Sequence, residues 1–544
     1  MSGALQTVRS AISRAFGGVP RTQSHMPQIG GSYFRNNVSP FLRDWRPALR
    51  ETSEDVRQSW NLAAARAVDQ IQNSGFIAGM CETSAALVVG DGLKLNAKPD
   101  AVALGWTPKQ AQDWRTLVES RFSSWAGDAL VCDANQRMTF GQMQEANYLA
   151  WLGLGEVLAM PLVRWSARTK SVTQILNIPA TRLSQQTQPD IRMMQGVFVD
   201  GLGAAVGYRI DEITRWQGIV PRDFQRFDAD GRRNVIHLFD PGLAVTRGIS
   251  KFVPALKVTR QLDQFCDATH TAALLQTIFA ATVKTNLQGL AAFEGLMTEG
   301  DHASLDLAKF LEMKNDWYEA AKIDMSTHGR IAHLMPNEEL QFHKAEHPGQ
   351  QFDMVMQWLL REIALVGGLT YEAATGDYRQ ATYSSVRMGT SINWNVITKR
   401  RKGVPSGYCQ GVYETWLEDE IGIGNLPFPG GYEAFLANRQ AACRATWSGP
   451  PKPQADDLKT AKANQTNLEI GVTTLESVCS ENGEDWEDVM EQRARERERA
   501  KELGLADPYP DLVALELAKK QQAVKGNEED KTDDASYTGE DQGA

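Results

Sequence analysis

The stretch "LREIALVGGLTYEAATGDYRQATYSSVRMG" (residues 360–389) holds the strongest structural signals of this chain. An apolar pattern with helical spacing ends at two adjacent glycines, which are favoured where a helix stops. Thr-Gly-Asp-Tyr at 375–378 carries typical turn residues, and two serines then precede a run of helix-compatible residues. The stretch therefore predicts a helix, a turn and a second helix over 384–400.

The same stretch contains Asp377, Ser384 and Arg387, residue types that also occur in the active sites of hydrolases and nucleases. A serine nucleophile needs a base within hydrogen-bond reach and a donor for the oxyanion. The sequence offers no Gly-x-Ser-x-Gly turn here, and no lysine three places after Ser384 or Ser385. A serine before a helix instead caps free backbone N–H groups. We favour a structural helix start made by Ser384, Ser385 and Arg387, with hydrolysis as the alternative.

The run Lys399-Arg400-Arg401-Lys402 is the strongest basic sequence of the chain and follows directly on this predicted helix. Positive charges interact favourably with the C-terminal end of a helix. The same charges can also bind the phosphates of a nucleic acid. The four residues are therefore possible phosphate contacts, with helix stabilisation as the competing interpretation.

Apolar residues at helical spacing predict several further helices. One covers 252–286 and would span roughly 50 Å, which suits a shaft better than an element of a compact core. The pattern also predicts helical structure over 51–89 and a helix over 108–126, and two late helices over 457–479 and 484–505.

The interval 150–250 alternates apolar and polar residues and predicts mostly sheet. The sequence "LVVGDGLKLNAKPD" (87–100) predicts a strand, a turn and a second strand. Gly201, Gly203 and Gly207 do not have the spacing of a dinucleotide fingerprint and favour a hairpin. His343 and His347 could hold a metal at i, i+4, but the run before them alternates like a strand. We expect neither a cofactor nor a metal.

The composition predicts a folded protein with more than one packed region. The chain has 544 residues, of which 42% are hydrophobic and 23% charged, and its net charge is −10. Residues 1–50 carry seven arginines against one aspartate (7 − 1 = +6), and residues 527–544 carry seven acids against one lysine (1 − 7 = −6). We expect a basic arm at one end and a disordered acidic tail over 526–544.

Cysteine usage and hydropathy set further limits. The six cysteines form no Cys-x-x-Cys pair, which argues against a zinc ribbon and gives no disulfide framework. The most apolar run, 271–283, is shorter than the ~18 to 20 residues that span a bilayer, so no membrane partner is expected. The sequence has no Walker A motif, and any ATP-driven work would need a partner.

Several of these stretches together resemble the lambda-type phage portal proteins. The resemblance rests on Gly-Leu-Thr-Tyr-Glu (368–372), Thr-Gly-Asp-Tyr (375–378) and Tyr-Ser-Ser-Val-Arg (383–387). It also includes "VVGDGLKLNAKPD", "VIHLFDP" with "TRGIS", and the segment that begins "TTLESVCSENGEDWEDVMEQ". These motifs follow one another in the family's order over roughly residues 30–510. The turn at Val366-Gly367 and the sequence before "TRGIS" depart from the family's pattern.

The resemblance implies an α+β portal fold, with an α/β wing, a long-helix stem, a small clip and a helical crown, assembled as a ring. We expect the basic arm over 1–50, the wing over 51–251 and the stem helix and clip over 252–345. The second stem and wing return over 346–456 would hold the channel loop, and the crown would cover 457–525.

The resemblance also implies a function and partners. Such a protein is not an enzyme but forms a homo-dodecamer at one capsid vertex, through which double-stranded DNA is packaged and ejected. Implied partners are the terminase large subunit, the major capsid protein or scaffold, and a head-tail adaptor, in the virion and in the host cytoplasm during assembly. The family places the segment after Thr-Gly-Asp-Tyr near the channel constriction, which makes Asp377, Tyr378, Arg379 and Gln380 the expected DNA-channel loop.

The net charge of −10 is consistent with a channel through which DNA moves. A bore that bound DNA phosphates through many basic side chains would hold the DNA instead of letting it slide. We therefore expect few basic residues on the channel surface, in isolated rings at most.

Overall fold

The computed structural model describes residues 47–165, 170–214, 218–240, 242–243, 245–278, 281–285, 312, 316, 338–342, 350–454 and 457–509. Two compact units are distinguished, Met1–Glu54 and Asp55–Ala544. The arm over 1–50 lies almost wholly outside the described residues, as do the acidic tail, most of the clip segment and both His343 and His347.

The described part mixes helices with small antiparallel sheets. The helices are α1 (Thr52–Asn73), α2 (Gly75–Val88), α3 (Ala101–Leu104), α4 (Pro108–Gly127), α5 (Ala129–Cys132), α6 (Phe140–Leu154), α7 (Leu256–Ile278), α8 (Gln350–Gly367), α9 (Tyr371–Thr375), α10 (Tyr383–Lys402), α11 (Val404–Gly422), α12 (Gly431–Ala437), α13 (Arg439–Ala442), α14 (Asp457–Glu469), α15 (Leu475–Glu481) and α16 (Trp486–Glu502). The strands are β1 (Lys94–Ala97), β2 (Glu156–Val163), β3 (Thr173–Ile178), β4 (Met193–Met194), β5 (Val197–Val199), β6 (Ala205–Thr214), β7 (Gly218–Gln225), β8 (Ile236–Phe239), β9 (Ala281–Thr285), β10 (Glu338–Phe342) and β11 (Ala445–Ser448).

Local sequence fixes where two core helices begin. Thr107 accepts a hydrogen bond from the backbone N–H of Gln110, whose side chain bonds back to Thr107, and Pro108 occupies the first helical position of α4. Thr139 and Gln142 form the same reciprocal pair at the start of α6. Each pair satisfies N–H groups that have no partner within the helix.

The main core surrounds α11. Trp416 and Tyr413 of α11 are fully buried and stand against Phe122 of α4, whose ring centroid lies 5.0 Å from that of Trp416 in an edge-to-face arrangement. Phe140 of α6 joins the same aromatic group. Buried aromatic side chains contribute large apolar area, and edge-to-face pairs add to it. This core joins early and late parts of the chain into one unit.

Two sheets occupy the interval 150–250, which confirms the sheet prediction there. In one, β2 lies between β3 and β8, antiparallel to both. In the other, β4, β5, β6 and β7 follow in chain order. The hairpin predicted around Gly201 and Gly203 is confirmed as β5 and β6. Apart from these, β1 pairs with β11, and β9 pairs with β10.

Three predicted elements differ from those observed. The helix predicted over 252–286 begins with a 3₁₀ turn, continues as α7 and ends at Ile278. Residues 281–285 instead pair with β10, which fits the β-branched residues Thr282 and Val283. At ~1.5 Å per residue, α7 spans about 35 Å.

The other two differences concern helix boundaries. The strand predicted at the start of 87–100 is wrong, because Leu87 and Val88 complete α2. The second strand exists as β1, but its partner is the distant β11. The helix predicted over 457–479 is divided into α14 and α15 by Gly471, whose φ is 74°. The helices over 108–126 and 484–505 are confirmed as α4 and α16.

The late helix α16 contacts α4 through Arg115, and Gln112 of α4 also donates to Glu487. Arg115 contacts Glu119 of its own helix at 3.1 Å and two acids from the other end of the chain, Asp485 and Glu487, each at 2.6 Å. The Arg115 side chain is only 11% exposed, so these contacts are shielded from water better than ordinary surface pairs. The segment predicted as a crown is therefore anchored electrostatically to the main unit.

Helices α8 and α10 carry apolar side chains that the described residues leave exposed. Met354, Trp358 and Leu365 lie on one face of α8 and are 66%, 62% and 79% exposed. On α10, Met388 and Ile392 are 64% and 63% exposed. Monomeric proteins rarely leave such groups of large apolar side chains in water. Among the described helices, none is long and apolar enough to cross a membrane.

Candidate nucleic-acid interface

The predicted channel loop lies between α9 and α10. Thr370 caps α9 by accepting a hydrogen bond from the backbone N–H of Ala373, and Gly376 ends the helix with φ 68°. A residue with a Cβ adopts that left-handed conformation at a cost, so glycine suits this position. The loop then runs to Thr382, where α10 begins. Helix, turn and second helix thus follow in the predicted order.

Within the loop, Arg379 is bound to Asp377. Its Nε lies 2.9 Å from Oδ1 and its Nη2 lies 2.8 Å from Oδ2, and its backbone N–H also donates to Oδ1. The side-chain and backbone hydrogen bonds of Arg379 hold the pKa of Asp377 well below its usual range. The Arg379 side chain is 77% exposed. The loop therefore presents a cation that is already neutralised by its own carboxylate.

The other two loop residues are oriented toward solvent. Tyr378 is 54% exposed, and Gln380 is exposed as well. Tyr371, at the start of α9, places its hydroxyl 3.4 Å from the Asp377 carboxylate. The four predicted loop residues therefore form one exposed turn with a single internal ion pair.

The predicted helix start is confirmed, but its capping residue is Thr382 and not a serine. Thr382 accepts from the backbone N–H of Ser385, and the Ser385 hydroxyl accepts from the backbone N–H of Thr382 at 3.0 Å. That hydroxyl also donates to the Thr382 carbonyl at 2.9 Å. Threonine caps as serine does, and Thr382 was not considered in the prediction from sequence. In the described part of the chain, no histidine or carboxylate is hydrogen-bonded to Ser384 or Ser385.

The basic run divides into two exposed and two structural residues. Lys399 and Lys402 are exposed. Arg400 donates to the carbonyls of Val366, at 3.0 Å, and Gly367, which are the last residues of α8. Gly368 has the left-handed φ of 72°, which favours glycine, and a Cβ there would also meet the Arg400 guanidinium.

Arg401 is buried and serves the C-terminal end of another helix. It donates to the carbonyls of Val88 at 3.0 Å and Leu87 at 2.9 Å, and to that of Pro450 at 2.9 Å. Burial lowers the pKa of Arg401 to about 10, so it stays charged at neutral pH. The last carbonyls of a helix have no hydrogen-bond donors within that helix. A cation there donates to these carbonyls and interacts favourably with the helix dipole. This burial contradicts the phosphate-contact prediction for Arg401.

The structure also contains a buried ion network that was not predicted from the sequence. Glu156, at the start of β2, contacts Arg247 through Nε at 3.1 Å and also through Nη2, and lies 2.9 Å from His237 Nε2. Arg247 further donates to the carbonyl of Ala180 and lies over the Trp60 ring, 4.4 Å from its centroid. The signal was present in the "TRGIS" sequence, but its partners are distant in the chain.

Close backbone packing accompanies this network. Gly155 has φ 87°, and a Cβ there would lie 2.1 Å from the backbone of Ile249. Ser250 donates its hydroxyl hydrogen to the Leu152 carbonyl at 2.8 Å. The "TRGIS" residues thus lock the end of α6 to the start of β2, and their role is structural.

Among the residues described by the structure, no group of three His, Cys, Asp or Glu side chains could hold a metal ion. What the predicted site brings together is an exposed turn, two exposed lysines on the far end of α10 and a framework of structural arginines.

Comparison with known proteins identifies relatives along most of the chain. Residues 39–401 match the family described as phage portal protein, lambda family. The chain is 26% identical to portal protein B of Escherichia phage lambda over 514 residues, which covers 93% of this chain and 94% of that protein. It is also 26% identical to the portal protein of Escherichia phage N15, over 90% of this chain and 93% of that one. Among solved structures, a chain from the neck of a native GTA particle aligns with TM-score 0.39 and 12% identity, covering 76% of this chain and 95% of that chain.

Proposed function

The chain belongs to the lambda family of phage portal proteins, and from this we propose that it forms a homo-dodecameric ring at one capsid vertex, the channel for packaging and ejecting double-stranded DNA. It is a structural portal protein and not an enzyme. The observation that carries the proposal is the family match, which includes the proposed channel loop and all but the last residue of α10. The hydrolase alternative, which would use Asp377, Ser384 and Arg387, has no support in the described residues, since the Asp377 carboxylate is bound by Arg379 and no histidine or carboxylate there is hydrogen-bonded to Ser384.

The exposed apolar faces of α8 and α10 support assembly into a ring. A second copy of the chain would remove Trp358, Leu365 and Ile392 from water, and burial of one large apolar side chain contributes about 1.5–3 kcal/mol. A face repeated on every subunit adds this contribution at each contact around a closed ring. We therefore assign these two helices to subunit contacts.

The channel loop is proposed to face the DNA through Arg379 and Gln380. Because Asp377 neutralises Arg379, the loop can contact a phosphate without adding a strong net positive charge. Such a contact would be weak enough to let DNA slide. Lys399 and Lys402 remain proposed phosphate contacts. Arg400 remains one only in part, because its guanidinium also donates to two carbonyls. Arg401 is no longer proposed as a phosphate contact.

The division into functional regions remains a proposal. The wing corresponds to 51–251, the stem helix and clip to 252–345, the stem and wing return to 346–456, and the crown to 457–525. Proposed partners are the terminase large subunit, the major capsid protein or scaffold and a head-tail adaptor, first in the host cytoplasm and then in the virion.

Purification followed by size-exclusion with light scattering, and negative-stain imaging of the same sample, tests the proposed assembly. We expect rings of about a dozen subunits, in keeping with the closed symmetry of most oligomers. Since portals can need a scaffold or prohead to assemble, the measurement is repeated with prohead components. A monomer in both preparations would contradict the proposal.

The apolar faces offer a sharper test of the same assembly. Trp358→Glu is expected to abolish rings, because it places a charge in a subunit contact that is depleted of water. Leu202→Glu is the matched control, since Leu202 is 92% exposed at the tip of a hairpin. Rings that still form with Trp358→Glu, or that are lost equally with Leu202→Glu, would overturn the assignment of α8.

A further inference from the structure

A cavity lies between α10 and α14, and none of its lining residues belongs to the proposed channel loop. It has a volume of about 260 Å³, below the ~300–1,000 Å³ of sites for drug-sized ligands. Its walls come from the first turns of α10, the segment 452–454, and α14, with one residue from α15. The lining residues that carry the argument are Tyr383, Arg387, Ser391, Lys452 and Glu481. This space, called the α10–α14 cavity, is large enough to admit a phosphate-sized group.

Two cations face this cavity without a carboxylate bound to them. Arg387 is exposed, and none of its side-chain atoms bonds to another described residue. Lys452 Nζ has a neutral partner, the hydroxyl of Ser391, at 3.2 Å. The lining contains a single carboxylate, that of Glu481, to which neither cation is bonded within the described residues. Several other arginines of this acidic chain are paired with carboxylates, as Arg115, Arg247 and Arg379 are.

Further groups around the cavity are suited to an oxyanion. Tyr383, Arg387 and Ser391 are spaced by four along α10 and therefore share one face of that helix. Lys459 of α14 lies over the Tyr383 ring, 5.7 Å from its centroid. Arginine, lysine and hydroxyl groups together are the usual donors to nucleic-acid phosphates. An arginine that binds a carboxylate typically does so alone, through two of its nitrogens. The arginine, lysine and hydroxyl groups around this cavity therefore suit a phosphate better than a carboxylate.

We propose that the α10–α14 cavity is an oxyanion site that takes a backbone phosphate of the DNA handled by the ring. The inference rests on the proposed function, because it needs DNA to pass close to the subunit. It names a contact distinct from the channel loop, separated from Arg379 by the start of α10. At ~1.5 Å per residue, the face of α10 that lines the cavity, from Tyr383 to Ser391, is about 12 Å long. Repeated around a ring, it gives an isolated ring of phosphate contacts.

The test uses the assembled full-length protein and the double variant Arg387→Gln/Lys452→Gln. A short labelled double-stranded oligonucleotide is titrated at several salt concentrations, and inorganic phosphate is titrated separately by calorimetry against chloride at equal ionic strength. The matched control is Lys109→Gln/Arg137→Gln, which removes the same charge from two exposed positions elsewhere. We expect weaker oligonucleotide binding in the cavity variant alone, with a salt dependence shallower by about 1 for each phosphate that the variant no longer binds.

Other outcomes identify what is wrong. Equal losses of affinity in the cavity and control variants would mean a general charge effect and overturn the site. A loss of inorganic phosphate binding alone would make it a site for a free oxyanion and overturn the DNA assignment. Loss of rings in the cavity variant, with its oligonucleotide affinity unchanged, would assign the cations to a carboxylate of a neighbouring subunit and overturn the proposal. If wild-type rings form and the cavity variant binds DNA normally, the site fails while the proposed portal function stands. If no rings form even with prohead components present, the proposed function itself fails.

Discussion

The pairs Glu156–Arg247 and Asp377–Arg379 are both arginine–carboxylate contacts that use two guanidinium nitrogens, but they lie in opposite environments. Both side chains of the first pair are 0% exposed, whereas Arg379 is 77% and Asp377 20% exposed. A buried charge that loses its partner has no water to replace it, while an exposed charge does. The first pair therefore holds the fold, and the second adjusts the charge of a surface.

The largest expected effect comes from breaking the buried pair. Glu156→Gln leaves the Arg247 charge buried without its carboxylate and should lower the free energy of unfolding by about 3–5 kcal/mol. Urea unfolding followed by tryptophan fluorescence measures this change. The double variant Glu156→Leu/Arg247→Met removes both charges and should recover most of the loss. If Glu156→Gln unfolds at the wild-type urea concentration, the buried pair does not hold the fold.

The same pair predicts a dependence of stability on pH. Burial by itself raises the pKa of Glu156, but the charge of Arg247 and the hydrogen bond from His237 outweigh it, so that pKa lies below its ordinary value. A group whose pKa is lower in the folded state stabilises the fold at pH values above its unfolded-state pKa, which is near 4.5. That contribution is lost as the pH falls through the folded-state pKa. Thermal melts below pH 4.5 should fall more steeply for wild type than for Glu156→Gln. Parallel curves would contradict this.

The ion pairs of Arg115 are intermediate in burial between the two pairs compared above. Arg115→Met removes the contacts to Asp485 and Glu487 and should weaken the attachment of α16 by about 2 kcal/mol. Hydrogen exchange of the α16 amides, or limited proteolysis near residue 485, detects the loosening. Arg495→Met is the control, because Arg495 is 64% exposed and its pair with Glu491 lies on the helix surface. Equal effects of the two variants would mean that burial does not govern these contacts.

The smallest effect on stability is expected at the loop. Asp377→Asn makes the same acid-to-amide change as Glu156→Gln, but water solvates Arg379, so the melting temperature should not change measurably. Binding of DNA should instead become stronger and more sensitive to salt, because Arg379 is no longer neutralised. Asp223→Asn is the control, since Asp223 pairs with Arg209 through two nitrogens on an exposed hairpin. Unchanged DNA binding with Asp377→Asn would remove the loop from the interface.

Prediction from sequence succeeded where the signal is local. The spacing of Trp114, Phe122 and Trp125 predicted α4, and the glycine pair predicted the end of α8. Prediction failed where local signals compete: Leu87 and Val88 favour a strand by propensity but complete α2 because they pack in the core. The cap was predicted at the serines because they precede a run of helix-compatible residues, but Thr382, earlier in the chain, takes that position.

The sequence by itself determined the family, the order of elements around residues 360–389 and the loop that joins α9 to α10, because turn and capping residues act on their immediate neighbours. Only the tertiary structure decided which charges are available to a ligand. Arg401 and Lys402 are adjacent in the chain, yet one is bonded to carbonyls of Leu87, Val88 and Pro450 and the other is exposed. Their partners come from residues far away along the chain, and no local pattern encodes that distance.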